Sequence, residues 1–293
     1  MALFGRHAKW RAMRGIPTPD VSFASATGLP AVYLRGGSLE ADGKSMFSDI
    51  LLAISRGEVV SVVGPSAEEL RALLRCLVLL DRLDDGVLAY GALQVTTRAE
   101  SGKISYDEKV LRDARGRFGL VSEGLDLFPC FTVMRNICDA PVAVQRRAKD
   151  EVEEVARALL ARYELESCAD SYPGQLSSWQ RFCVAVCRAQ IRRPKLIYFG
   201  DVARTLEPGL VPAAFELMRG IAEGGVGVGA FTSAAGYAAK ASDRMALLMN
   251  GRIVDAGTPQ ELMRDPQDER ARAYLAEEER RTLRSTLNSK VLL

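Results

Sequence analysis

The sequence predicts an α/β fold in which a largely parallel sheet is covered by helices on both faces. Three observations carry that expectation. Short β-branched runs without polar alternation are of the kind that fill strands buried on both sides. Helical segments fall between those runs. The 293 residues, 48% hydrophobic and 26% charged, suffice for a packed core and match about two average domains or one large α/β unit.

Taken in chain order, residues 1 to about 29 read as an extension. Its start, MALFGRHAKWRAMRG, is basic through Arg6, Lys9, Arg11 and Arg14 and lacks the apolar stretch of a secretory signal. A solvated tail is the plain reading, with contact to anionic lipid or a partner as the alternative. AVYLR (31–35) reads as a strand, and ILLAISRGEVVSVVG (50–64) ends in a buried one. SAEELRALLRCLVLL (66–80) reads as a helix with Leu70, Leu73, Leu74, Leu77 and Leu80 on one face. RFGLV (117–121) is a short strand leading into LFPCFTVMRNI (127–137). Helical patterns cover 145–165 and roughly 176–191, and PKLIYFGD (194–201) is a further buried strand. VGVGAFTS (226–233) and RMALLMNGRIVDAG (244–257) add more strand, the latter with an Asn-Gly hairpin turn. The tail from about 276 is charged, helical or frayed.

Composition excludes several function classes. Lys+Arg number 39 against Asp+Glu 37, which argues against a chain that holds nucleic acid by net charge. No apolar run approaches the ~20 residues of a membrane span. The single histidine, His7, excludes His-based triads and multi-His metal sites. The six cysteines contain no C-x-x-C and read as reduced thiols; Cys183 and Cys187, one helical turn apart, suit a buried face better than a metal. Gly225-Val226-Gly227-Val228-Gly229 precedes no suitable helix and is not read as a dinucleotide loop.

RGEVVSVVGPS (56–66) with LLRCLVLLD (73–81), GLDLFPCFTVMRNI (124–137), YPGQLSSWQ (172–180), PKLIYFGD (194–201), TLEP (205–208) and SDRMALLMNGRIVDAGTPQEL (242–262) follow one another in a telling order. Together they resemble the ATP-binding subunits of ABC transporters, specifically those of polar amino-acid importers, over roughly residues 31–275. The resemblance implies a RecA-like P-loop NTPase core, the ABC ATPase fold, at 30–275, with an inserted helical subdomain at about 130–190. Residues 1–29 and 276–293 would flank it. It further implies ATP and Mg²⁺ as the family's cofactors, and dimers seated beneath two membrane permeases.

The family's phosphate loop is G-x-x-x-x-G-K-S/T, in which backbone N–H groups curl around phosphates, the lysine meets the β/γ-phosphates and the hydroxyl holds Mg²⁺. This chain reads Gly64-Pro65-Ser66-Ala67-Glu68-Glu69-Leu70-Arg71-Ala72. Leu70 stands for the lysine, Glu69 for the second glycine, Arg71 and Ala72 for the hydroxyls. Two like charges ~4 Å apart repel by about 4 kcal/mol at an effective dielectric of 20, so Glu68 and Glu69 oppose a polyanion. Ser66 and Glu69 instead fit S-x-x-E, a capping box, and both acids complement a helix N-terminus. The expectation is a helix that caps itself, with weak nucleotide binding aided by Arg71 as the alternative.

The remaining stations implied by the resemblance are also altered. The adenine-stacking aromatic corresponds to Ala41, and the Mg²⁺-sensing glutamine to Glu123. The signature LSGGQ reads Leu176-Ser177-Ser178-Trp179-Gln180, with Trp179 where only a hydrogen fits easily. Gly200 replaces the metal-binding Asp, and Asp201 stands at the catalytic carboxylate, one methylene shorter. Glu207 replaces an Asp, and Ser233 the switch histidine. No catalytic station is intact and no cofactor is expected to bind tightly.

What survives is the groove that receives a permease's coupling helix in the family, with Phe128, Pro129, Phe131 and Val133 as apolar contributors; packing of the subdomain junction is the equal alternative. The leading expectation is an impaired, non-catalytic or regulatory subunit of an amino-acid-type importer, peripheral on the inner face of the cell membrane. It would be paired with a permease and with another ATP-binding subunit in a homo- or heterodimer. An active ATPase using unusual residues and a stand-alone interaction protein remain the alternatives.

Overall fold

The computed structural model describes residues 28–99 and 102–291, with the side chains of its last helix only as far as Thr282. The basic start of the chain, His7 included, lies outside the described residues. The elements run β1 (Val32–Ala41), β2 (Lys44–Ile54), β3 (Val59–Val63), α1 (Ala67–Leu77), β4 (Asp85–Tyr90), β5 (Leu93–Gln94), β6 (Thr96–Arg98), β7 (Ile104–Tyr106), α2 (Glu108–Arg115) and β8 (Phe118–Val121). Three helices follow: α3 (Val133–Ala143), α4 (Lys149–Arg162) and α5 (Ser178–Gln190). Then come β9 (Leu196–Phe199), α6 (Val211–Glu223), β10 (Gly227–Thr232), α7 (Ala235–Ala241), β11 (Arg244–Met249), β12 (Arg252–Gly257), α8 (Pro259–Arg264) and α9 (Glu269–Val291).

The central sheet has the order β12-β11-β3-β10-β9-β8 and is parallel except for β12, which returns antiparallel through the Asn250-Gly251 turn. Both turn residues have positive φ, 50° and 70°, as a two-residue hairpin turn requires. The buried β-branched runs explain the centre. In β3, Val59 and Val63 face one core while Val60 and Val62 face the other, and β9 divides likewise into Ile197 with Phe199 and Leu196 with Tyr198. That two-sided burial is why these strands lack polar alternation.

The sequence reading of a single parallel sheet is incomplete. A second, antiparallel sheet of order β2-β1-β4-β5 packs over α1, which lies between the two sheets with Leu73 and Leu77 fully buried. Each such leucine contributes about 1.5–3 kcal/mol. Strands β4 to β7 escaped notice because they are short and interrupted by charges and glycine. The helix predicted to reach residue 80 ends at Leu77: the chain turns left-handed at Leu79 (φ 59°), and Leu80 is 60% exposed rather than on the buried face. The expected boundary at 275/276 falls inside α9, where Ala271, Leu275, Glu278 and Thr282 are all buried.

Candidate functional site

Parallel strands end together, so the loops after β3, β8, β9 and β10 converge along one edge of the central sheet, where α/β proteins bind ligands. Most of the sequence-predicted stations meet there: residues 64–72, Glu123, Gly200 with Asp201, and Ser233. Ala41 does not join them through a side chain; it is an exposed methyl at the end of β1.

At the start of α1, Ser66 is the N-cap and its Oγ accepts from the Glu69 amide at 3.2 Å. That is half of the expected capping box. The reciprocal half is not formed, and Glu69 Oε2 is buried without a hydrogen-bond partner. Glu68 pairs across an exposed 3.5 Å with Lys44 of β2, a contact worth little in water. Leu70 is 2% exposed and packs into the core between the sheets. Gly64 is held against β11, since a Cβ there would meet the Leu248 carbonyl oxygen at 2.2 Å.

Gly200, the position that the resemblance matches to a metal-binding Asp, is closed by backbone. A Cβ on Gly200 would lie 2.7 Å from the Glu123 nitrogen and 3.3 Å from the Ser122 carbonyl carbon. The approach is fixed by the Gly200 amide donating to Val121 O at 2.9 Å and by Thr205 Oγ1 donating to Glu123 O. The Glu123 side chain then bridges two cations: Oε2 accepts from Arg71 at 3.0 Å and Oε1 pairs with Arg204 at 3.0 Å. Arg71 is thus neutralised within the chain. Arg204 belongs to no motif, and only the fold shows its part.

Asp201 is 5% exposed and both its oxygens are in use. Thr232 Oγ1 donates to Oδ1 at 2.6 Å; the Ser233 amide and Oγ donate to Oδ2 at 3.0 and 2.8 Å. Tyr274 of α9 in turn donates to the Ser233 carbonyl at 2.6 Å. The carboxylate therefore ties the end of β9 to the end of β10, and Ser233 is the tie's other half.

Ser177 and Gln180 also work for their own helix. Ser177 caps α5, accepting from the Gln180 amide at 3.2 Å, while Gln180 Oε1 accepts from the Ser177 amide at 2.9 Å. S-x-x-Q is itself a capping-box pattern and was legible in the sequence. Ser178 Oγ donates to Glu207, and this bond holds the Glu207 carboxyl below the usual carboxylate range. Trp179 is half-buried, its ring 5.5 Å from that of Phe182.

Phe128 and Pro129 are exposed and Phe131 half-buried, with Arg135 stacked 3.7 Å over the Phe131 ring. Val133 is a correction: it is 0% exposed and belongs to the core, because it opens α3 on the inward face. Asn136 shapes the loop, accepting from the Phe128 amide and donating to the carbonyls of Phe128, Phe131 and Thr132. Cys183 and Cys187 lie in the core, and burial pushes the Cys183 thiol up to about 12.

Comparison with known proteins places this arrangement among relatives. The family model described as ABC transporter matches residues 47–201. The glutamine transport ATP-binding protein GlnQ of Bacillus subtilis (strain 168) is 30% identical over 231 residues, 79% of this chain and 92% of that protein. The L-cystine transport system ATP-binding protein TcyN of Escherichia coli (strain K12) is 33% identical over 247 residues, 84% and 98% of the two chains. Among solved structures, cbiO1 from Clostridium perfringens, part of the ABC transporter complex cbiONQ, shares the fold with a TM-score of 0.69 at 19% identity, covering 80% of this chain and 91% of that one. A bacterial ABC transporter cassette solved as a dimer gives a TM-score of 0.65 at 22% identity, covering 78% and 98%.

Proposed function

The chain belongs to the ATP-binding proteins of ABC transporters, and we propose that within that family it is a non-catalytic or regulatory subunit of an amino-acid-type importer, impaired in ATP binding and hydrolysis. The observation that carries this reading is Gly200, whose missing side chain has been replaced in space by the Ser122-Glu123 backbone. The residues present do not fit a magnesium-bound triphosphate. Leu70 offers no cation, Glu68 and Glu69 add negative charge to the helix start, and Arg71 is already paired with Glu123. Asp201 spends its lone pairs on Thr232 and Ser233.

The relatives named for glutamine and cystine transport support the importer part of the proposal. No helix among the described residues is long and apolar enough to cross a membrane. The protein would sit peripherally on the inner membrane face, held by a permease through the Phe128, Pro129 and Phe131 loop, with α3 to α5 forming the helical subdomain. A second ATP-binding subunit, the same or different, completes the assembly. Calorimetric titration of Mg·ATP into the purified protein is expected to give no heat of binding, and co-expression with the importer's permease to give a stable complex. Micromolar nucleotide affinity with turnover would overturn the proposal.

A further inference from the structure

The strands whose C-terminal ends carry the candidate site begin on the opposite side of the central sheet, and cations gather there. Arg117 stands immediately before β8 and Lys195 immediately before β9; the two strands pair Phe118 with Leu196, and the Lys195 amide donates to the Arg117 carbonyl at 3.2 Å. Neighbouring strands lie about 4.8 Å apart, so these two residues enter the sheet side by side. Arg112 and Arg115 occupy the last turn of α2, which leads into β8, and Arg192 and Arg193 lie between α5 and β9. All of these except the half-buried Arg192 are exposed.

Part of this charge serves the fold. The carbonyls at a helix C-terminus attract cations. Arg115 donates to Leu79 O at 3.0 Å, just past the end of α1, and Arg192 donates to Arg115 O at 3.1 Å, at the end of α2. Burial pushes the Arg192 guanidinium below its ordinary value, with no carboxylate to offset it. A half-buried cation met by a carbonyl alone gains from an anion. The side chains of Arg112, Arg117, Arg193 and Lys195 make no hydrogen bond and no ion pair among the described residues. Arg193 acts only at a distance on Glu151, which is paired with Arg147. Asp113, Asp150, Glu164 and Glu223 on the neighbouring elements are exposed and form no ion pair with these cations. In a chain whose net charge is only +2, so many unanswered cations at one end of the sheet are a segregation of charge, which recruits an oppositely charged partner.

We propose that this end of the sheet is a docking surface for an acidic peptide segment of a partner protein, whose carboxylates pair with Arg112, Arg117, Arg193 and Lys195. None of the exposed large apolar side chains lies among these cations, so a nucleic acid would find no ring on which to stack a base. The Phe128 loop follows the far end of β8, so the surface is set apart from the face given to the permease, which disfavours a lipid surface. The probe is fluorescein-labelled octaglutamate, titrated with the full chain and read by anisotropy, against octalysine, an oligothymidylate and phosphatidylglycerol vesicles. Saturable binding of octaglutamate is expected, tighter than any of the other three, and raising salt from about 50 to about 200 mM should weaken it several-fold. Arg117→Glu with Lys195→Glu should weaken it about tenfold or more, because like charges then face the peptide, and the milder Arg117→Ala with Lys195→Ala should weaken it about threefold. Arg252→Glu, an exposed position on β12 at the other border of the sheet, should leave the affinity within about twofold. These side chains are exposed, so every variant should keep the parent melt. Absence of saturable octaglutamate binding, binding indifferent to salt or to both double variants, an equal loss in Arg252→Glu, or tighter binding of the oligothymidylate or the vesicles overturns the assignment.

Discussion

Restoring the family's metal ligand should damage this protein rather than revive it. In Gly200→Asp the new Cβ would sit 2.7 Å from the Glu123 nitrogen, 3.3 Å from the Ser122 carbonyl carbon and 3.4 Å from the Glu123 Cα. All three are backbone atoms, so no rotamer change relieves the overlap; the end of β8 must retreat. Retreat strains the Gly200–Val121 hydrogen bond and the Thr205 contact to Glu123 O. Overpacking of this kind costs about 1–3 kcal/mol. For a domain of this size each kcal/mol lowers Tm by about 2–4 °C, so the expected loss is roughly 2–12 °C. Scanning fluorimetry and circular-dichroism melts with and without Mg·ATP read it, with Gly200→Ala beside it to separate the Cβ from the charge. Both variants should lose stability, and neither should be stabilised by nucleotide. Melts within ~1 °C of the parent, or a Gly200→Asp protein that Mg·ATP stabilises, would refute the reasoning.

Three further outcomes are expected. Asp201→Ala strands the Thr232 hydroxyl and both Ser233 donors in a buried site and should cost about 2–4 kcal/mol in urea unfolding; an unchanged midpoint would mean that the carboxylate carries no structural duty. Phe128→Asp, at a 51% exposed ring, should weaken permease co-purification while leaving Tm in place, whereas Val133→Asp in the core should prevent folding; similar melts for the two would contradict their placement. Burial holds the Glu278 carboxyl above its ordinary value of 4.5 in spite of Arg281. The folded state therefore keeps this proton at pH values where the unfolded chain has lost it, and stability falls as pH rises from 4.5 through the raised value. Glu278→Gln should remove that decline in a Tm series from pH 4 upward, and parallel curves for both proteins would dismiss it.

The central sheet was legible because strands buried on both faces must be written in apolar, β-branched residues, as VVSVV and LIYF are. The antiparallel sheet was legible only where AVYLR starts β1: β5, for one, has two residues and draws its stability from neighbours rather than from pattern. At the site, the sequence by itself determined which chemical groups are missing, since Leu70 for a lysine and Gly200 for a carboxylate are facts of composition at a position. It also determined that α1 and α5 begin with their own caps, because capping is local chemistry between residues three apart. Even there it overreached, for whether Glu69 turns back to Ser66 depends on what surrounds its side chain, and Oε2 stays unpartnered. What only the tertiary structure decided is what fills the vacated places. The Glu123 backbone over Gly200, the Arg71–Glu123–Arg204 bridge and the Asp201–Ser233–Tyr274 chain join residues 32 to 81 positions apart. Contacts of that kind arise from strands that end side by side, and no local periodicity encodes them.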